Sequence, residues 1–264
     1  MVPQPKDVDG LTIAVQRPSS PTTKPPVLLI HGMFGGAWYW DGYQELLARR
    51  GFESHAINLR GHHGSRPVRD IGKVSLRDYV HDALDVARSL GNPLVIGHSM
   101  GGLIAQKVAE AGACRAMVLL ASAPPRWIPP VSWLLLRKQV KYVKALLLFR
   151  PVLPDRGDAD ALMFNRTPVN ERDRFFSRLI PESGKAAFEL SFGVLGVKAS
   201  RVSCPVLVVG GTADHFVVPR VARALAKKYD APLRTYVNFA HHIMCEPGWD
   251  GPATDIAEWL DAHA

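Results

Sequence analysis

The sequence predicts an α/β protein: a mostly parallel central sheet flanked by helices, interrupted once by a mainly helical insertion. Two observations predict it. Short apolar runs rich in β-branched residues alternate with stretches whose apolar residues recur at three- and four-residue spacing, the pattern of strands buried on both faces and amphipathic helices. The alternation then stops between Ala121 and Cys204, where roughly eighty residues offer helical patterns and no convincing strand.

The first strand expected is 27–30, Val-Leu-Leu-Ile, which follows a Pro-dense stretch at 18–26 and runs into His31-Gly32. Further strands are expected at 53–59, 94–96, 117–120, 206–209 and 233–237, each short and bounded by Gly, Pro or Asn. Helices are expected at 40–49, 76–90, 103–111, 219–229 and 249–260. A second Pro-dense stretch, 124–130, opens the insertion, which divides the chain into a core of 1–123 with 201–264 and a cap of 124–200. Within the cap, 133–149 reads as an amphipathic basic helix. Arg137, Lys141 and Lys144 share one face and Leu136, Val140, Val143 and Leu147 another, the apolar face being expected to pack on the core.

The 264 residues suit one large domain carrying an insertion, and 47% apolar with 21% charged residues excludes disordered, collagen-like and coiled-coil chains. Net charge is +8, concentrated in the cap, which holds thirteen Lys or Arg against seven Asp or Glu. No zinc-finger spacing, aromatic RNA-binding signature or unbroken basic block accompanies it, so no nucleic-acid partner is expected. The basic helix instead offers a weak contact with a lipid surface. Residues 1–10 carry no apolar run and no segment approaches the roughly 18 apolar residues of a membrane span, so the expected location is cytoplasmic. Cys114, Cys204 and Cys245 lack the spacing of a zinc site or disulfide framework and are expected to be buried free thiols.

Chemistry enters at 94–102, where an apolar strand runs into Gly97-His98-Ser99-Met100-Gly101, a Gly-x-Ser-x-Gly turn, and then a helix. A serine on so sharp a turn holds its hydroxyl clear of the sheet, glycines on either side allow close backbone approach, and the following helix aims free N–H groups at developing negative charge. Ser99 is the candidate nucleophile. A serine needs a histidine to take its proton and a carboxylate to fix that histidine's tautomer. Asp214, just beyond the strand at 206–209, is the candidate acid. His241 and His242 both follow the last strand as candidate bases.

The strand-turn-helix at Ser99, with the landmarks before and after it from residue 27 to 260, resembles the α/β-hydrolase superfamily in its serine esterase and lipase-like branch. The resemblance implies an oxyanion hole from the backbone N–H groups of Met33 and Met100. It also implies a base at His241, because His, four residues, then Glu246-Pro247 matches the family pattern, although Ala240 stands where Gly is usual. Asn58-Leu59-Arg60-Gly61-His62-His63-Gly64-Ser65 resembles the family's Asp-x-Arg-Gly-His-Gly-x-Ser loop, with Asn58 for Asp and His63 between His62 and Gly64, and is read as structural.

The activity implied is cleavage of a small-molecule carboxylic ester through an acyl-enzyme on Ser99, with no cofactor and no metal. The cap's aromatic residues suggest an apolar acyl or aryl group. Residues expected at the substrate are His31, Gly32, Phe34, Trp38, His98, Trp127 and Trp133. The same triad would serve an acyltransferase, a thioesterase, a C–C hydrolase or a cofactor-free perhydrolase, and a ligand receptor on a hydrolase scaffold is the non-enzymatic alternative. Ser99 argues against the branches that use an aspartate nucleophile.

Overall fold

The computed structural model describes residues 4–129, 134, 137, 138 and 140–264. Its strands are β1 (Gln4–Val8), β2 (Leu11–Gln16), β3 (Val27–Ile30), β4 (Ser54–Ile57), β5 (Leu94–His98), β6 (Ala116–Leu120), β7 (Val206–Gly211) and β8 (Leu233–Tyr236). They form one eight-stranded sheet in the order β1-β2-β4-β3-β5-β6-β7-β8. β3 to β8 run parallel, while β1 and β2 form an antiparallel hairpin whose second strand pairs antiparallel with β4.

Alternation along each strand assigns its side chains to two apolar layers. Val27 and Leu29 point into the layer that holds Trp40, Phe52 and Ile256, whereas Leu28 and Ile30 point into the one that holds Tyr79, Leu103 and Val221. The helices α1 (Asp41–Arg49), α2 (Leu76–Ser89) and α3 (Met100–Glu110) cover the sheet in the first half of the chain. A capping box fixes the start of α2: Ser75 Oγ accepts from the Asp78 amide, and the Asp78 carboxylate accepts from the Ser75 amide. Burying each such Leu, Ile or Phe contributes about 1.5–3 kcal/mol, so these two layers dominate the stability.

Between β6 and β7 lie α4 (Val143–Leu147), α5 (Arg156–Leu162), α6 (Val169–Phe176) and α7 (Gly184–Ser191), with α8 (Pro219–Tyr229) and α9 (Asp250–Asp261) following β7. An isolated antiparallel bridge, Val152 to Glu182, is the β pairing found there among the described residues. No helix among the described residues is long and apolar enough to cross a membrane.

Several details depart from the sequence reading. The β1–β2 hairpin was not expected, although Leu11, Ile13 and Val15 alternate after an Asp9-Gly10 turn. α3 begins at Met100 instead of 103, because Ser99 itself is its N-cap. Residues 133–149 do not form one helix packed by its apolar face: Val140–Tyr142 is a 3₁₀ turn leading into the short α4. Val140 is 70% and Leu147 59% exposed, and Leu146 is the side chain of α4 that is buried, while Trp133 and Leu136 lie outside the described residues. Of the three thiols Cys114 is buried while Cys204 and Cys245 are half-buried, and the Sγ of Cys114 lies 3.6 Å from that of Cys204.

Candidate active site

Ser99 occupies the step between β5 and α3 with φ 52 and ψ −119, a conformation that holds about 1–3 kcal/mol of strain for a residue with a Cβ. Its surroundings supply the restraint. The Ser99 amide donates to the Leu120 carbonyl at 3.2 Å, and its carbonyl accepts from the Ala123 amide at 2.9 Å, so the end of β6 grips the turn from one side. Glycine is required on both flanks: a Cβ at Gly97 would stand 2.3 Å from the Gly101 carbonyl oxygen, and one at Gly101 2.2 Å from that of Ile30. Met100 opens α3, so its N–H has no intrahelical acceptor and is free for a ligand.

The structure brings Ser99, His241 and Asp214 into one hydrogen-bonded chain. His241 Nε2 lies 3.0 Å from Ser99 Oγ, and Nδ1 lies 2.9 Å from Asp214 Oδ2. The other carboxylate oxygen of Asp214 accepts from the amides of Phe216 and Val217, each at 2.8 Å. Since Oδ2 can only accept, His241 Nδ1 carries the proton and Nε2 is left to accept from Ser99. All three residues are buried, and Phe216 stacks on the imidazole with ring centroids 4.9 Å apart.

Glu246 holds the histidine loop. Its carboxylate accepts from the amides of Ala240 at 2.7 Å and His242 at 3.1 Å, bracketing His241. Burial raises its pKa to about 7, against the opposing pull of those two amides. His98 Nε2 lies 2.9 Å from the His241 carbonyl oxygen and braces the loop from beneath. His242, by contrast, is enclosed by Trp38, Tyr39, Phe164 and Phe175, with no partner for either ring nitrogen among the described residues. Burial, and then the neighbouring His241, hold its pKa down to about 3, so its ring is neutral.

The segment after β3 lies against Ser99. His31 Nδ1 is 2.7 Å from the Gly32 carbonyl oxygen, and its Nε2 accepts from the Leu59 amide. Phe34 has φ 66, unusual for a bulky residue, and Tyr39 Oη donates to the Met33 carbonyl at 3.3 Å. Met33 and Phe34 form one wall of a cavity of about 110 Å³ that opens on Ser99 and is otherwise lined chiefly by apolar side chains, among them Leu146, Val152, Leu162 and Phe216. Lys138, Tyr142 and Asp158 meet at its edge, where Tyr142 Oη donates to Asp158.

Of the expected substrate residues, Phe34 lies on that wall. His31, Gly32, Trp38 and His98 do not line the cavity: the imidazoles and the indole are buried behind it, where their hydrogen bonds and ring contacts hold the loops. Trp127 is 91% exposed on the outer surface, and Trp133 lies outside the described residues. Two participants were missed. Glu246 was visible only as part of the His-x₄-Glu-Pro spacing, and Phe216 carried no signal beyond its closeness to Asp214.

The profile of the alpha/beta hydrolase family matches residues 27–256. The chain belongs to that family. A pyrethroid hydrolase from Sphingobium wenxiniae is 34% identical over 255 residues, covering 90% of this chain and 88% of its own length. A probable alcohol acetyltransferase from Saccharomyces cerevisiae is 28% identical over 171 residues, which are 58% of this chain and 46% of the relative, so this chain spans less than half of that protein. Among solved structures, a monoacylglycerol lipase from Paleococcus ferrophilus superposes with TM-score 0.77 at 22% identity, covering 96% of this chain and 99% of the lipase. This member of the alpha/beta hydrolase family is built on a mostly parallel eight-stranded sheet.

Proposed function

We propose that the protein cleaves carboxylic esters with an apolar acyl or aryl group through an acyl-enzyme on Ser99. The observation that carries this reading is the buried Ser99–His241–Asp214 chain facing an apolar cavity. Ser99 Oγ attacks the carbonyl carbon while His241 Nε2 takes its proton; the same proton then goes to the leaving alkoxide. Asp214 holds the tautomer and stabilises the imidazolium. The N–H groups of Met33 and Met100 receive the oxyanion, and water, deprotonated by His241, releases the acid. The cap segment, by closing the cavity with Leu146, Val152 and Leu162, selects the acyl group.

p-Nitrophenyl esters from C2 to C12 test this with wild type, Ser99→Ala and a fluorophosphonate label. Turnover that disappears with Ser99 and label bound at Ser99 are expected; ester turnover retained in Ser99→Ala sinks the assignment. The likeness to a probable acetyltransferase favours one second reading, acyl transfer to an alcohol, which would show as ester product when an alcohol is added. We also propose a weak contact with anionic lipid surfaces through Val140, Val143, Leu147 and Leu148, which are exposed beside Lys144. Binding to anionic vesicles that weakens with salt is expected, and no sedimentation with vesicles at low salt removes it.

A further inference from the structure

Away from the triad, a carboxylate from the cap is sealed under the segment that carries Met33. Glu182 is fully buried, and four donors converge on it, three of them from distant parts of the chain. Its Oε1 accepts from Tyr79 Oη of α2 at 2.5 Å and from the Ser183 amide at 2.7 Å. Its Oε2 accepts from His62 Nε2 at 3.1 Å and from the Phe34 amide at 3.4 Å. Two residues earlier the Ile180 amide donates to the Phe34 carbonyl at 3.0 Å, so the cap holds Phe34 by both its backbone groups. Phe34 is the bulky residue at φ 66, a conformation that persists only where neighbours impose it. It directly follows Met33.

The partner of Glu182 is itself constrained. His62 Nδ1 faces the Arg60 carbonyl oxygen at 3.0 Å and Nε2 faces Glu182, so both ring nitrogens must donate and the ring is an imidazolium. Burial alone would push the His62 pKa down; the charge and hydrogen bond of Glu182, with the hydrogen bond to the Arg60 carbonyl and the charge of Asp82, together more than offset this and raise it. Burial would likewise raise Glu182, but His62, Tyr79 and Ser183 together bring it below the usual carboxylate range. The groups facing His62 are Glu182 from the cap, Tyr79 and Asp82 from α2, His31 at the end of β3, and Arg60 and His63 of its own loop. His31, its ring centroid 5.1 Å away, is held near a pKa of about 3 and adds no like charge.

We propose that Glu182, through its pair with His62, is a positioning residue that holds Phe34, and thereby the Met33 N–H, in place to receive the oxyanion; this rests on the serine-hydrolase reading above. It never touches the reacting atoms. What it supplies is registry between the cap and the anion-receiving loop, so that cap and site are one assembly.

The test compares the rate of fluorophosphonate labelling of Ser99, which needs nucleophile and oxyanion site but no particular ester, in wild type and Glu182→Gln from pH 5 to 10. A fall of about tenfold or more near pH 7 is expected, since small misplacements at such sites have large effects on rate. Where an ester is turned over, kcat should fall while KM stays within about twofold. Glutamine keeps an acceptor for His62 and removes the charge, so the alkaline decline of the rate should move to lower pH in the variant. A labelling rate within about twofold of wild type, with an unmoved alkaline limb, overturns the proposal. Wild type that takes label but cleaves no ester refutes the ester reading alone and leaves the Glu182 comparison intact; wild type that takes no label overturns both. If Glu182→Gln shows no cooperative thermal transition, Tyr79→Phe replaces it. That variant removes one donor to the carboxylate, and a severalfold slower labelling is expected, with an unchanged rate counting against the proposal.

Discussion

Replacing Asp214 with asparagine alters no volume and tests the proton bookkeeping of the site. Asp214 accepts three hydrogen bonds, two on Oδ1 from the Phe216 and Val217 amides and one on Oδ2 from His241 Nδ1. Asparagine can accept at only one of those positions. If its oxygen stays with the two amides, its NH₂ faces Nδ1, the imidazole proton moves to Nε2, and Nε2 can no longer take the proton of Ser99. The flipped amide restores the tautomer but sets NH₂ against two buried N–H donors, at about 1–3 kcal/mol for each left unpaired. The inactive orientation is therefore favoured by about 2–6 kcal/mol, and the charge that stabilised the imidazolium is gone in either case. Together these predict a loss of about 10³–10⁴ in kcat, equal to about 4–5.5 kcal/mol at 1.36 kcal/mol per tenfold. Initial rates with p-nitrophenyl butyrate at pH 7.5 measure it, alongside a thermal melt that should change little. A folded Asp214→Asn protein keeping more than about a tenth of wild-type kcat would refute the reasoning, because His241 would then owe its tautomer to something other than Asp214.

Gly101→Ala places a Cβ 2.2 Å from the Ile30 oxygen and 2.5 Å from the His31 oxygen, both backbone atoms, so a destabilisation of about 1–3 kcal/mol and a lower Tm are expected in a thermal melt. His242→Phe keeps the aromatic packing and removes two ring nitrogens that have no partner among the described residues; its activity should stay within about threefold of wild type, whereas His241→Ala should lose about a thousandfold. Equal losses in the two would reverse the assignment of the base. Leu146→Trp fills the cavity beside Ser99 and should move the preferred acyl chain toward shorter lengths in the p-nitrophenyl series. The His62–Glu182 pair gives a pH dependence of stability. Glu182, lowered in the fold, contributes above its ordinary carboxylate value and loses that contribution as pH falls; His62, raised, contributes below its ordinary value and loses it as pH rises through the folded one. The Tm gap between wild type and Glu182→Gln should thus be widest between about pH 4.5 and 6.5, and a gap independent of pH would contradict the ionic pair.

Much of this was legible because the site lies where local pattern and backbone geometry coincide. Val27–Ile30 and Leu94–His98 announce themselves as strands buried on both faces, and Gly97 and Gly101 mark where only hydrogen fits. His241 and His242 could be separated only by a resemblance, since adjacent residues share composition; in space one ring meets Ser99 and Asp214 while the other enters an aromatic enclosure. The cap was the least legible part. Periodicity in residues 133–149 indicated an apolar stripe, yet the stripe lies outward at Val140 and Leu147, because a short helix is oriented by what it packs against and not by its own moment. Glu182 gave no signal at all: its partners His62 and Tyr79 lie 120 and 103 residues away, and no local spacing records so distant a contact.

The insertion leaves from β6 and returns on β7, and those two strands pair directly, Met117 with Val206 through Leu120 with Val209. To the sheet, the long excursion is a single crossover that leaves the carboxyl end of β6 and re-enters at the amino end of β7, where the sulfurs of Cys114 and Cys204 hold the two strand starts 3.6 Å apart. Closing a loop grows only logarithmically more difficult with its length, by about 0.6 kcal/mol for each doubling. An insertion anchored in this way can lengthen, shorten or exchange its helices while the strands beneath keep their register. On the proposed role of Glu182, any such exchange must still return a carboxylate to the place that residue fills.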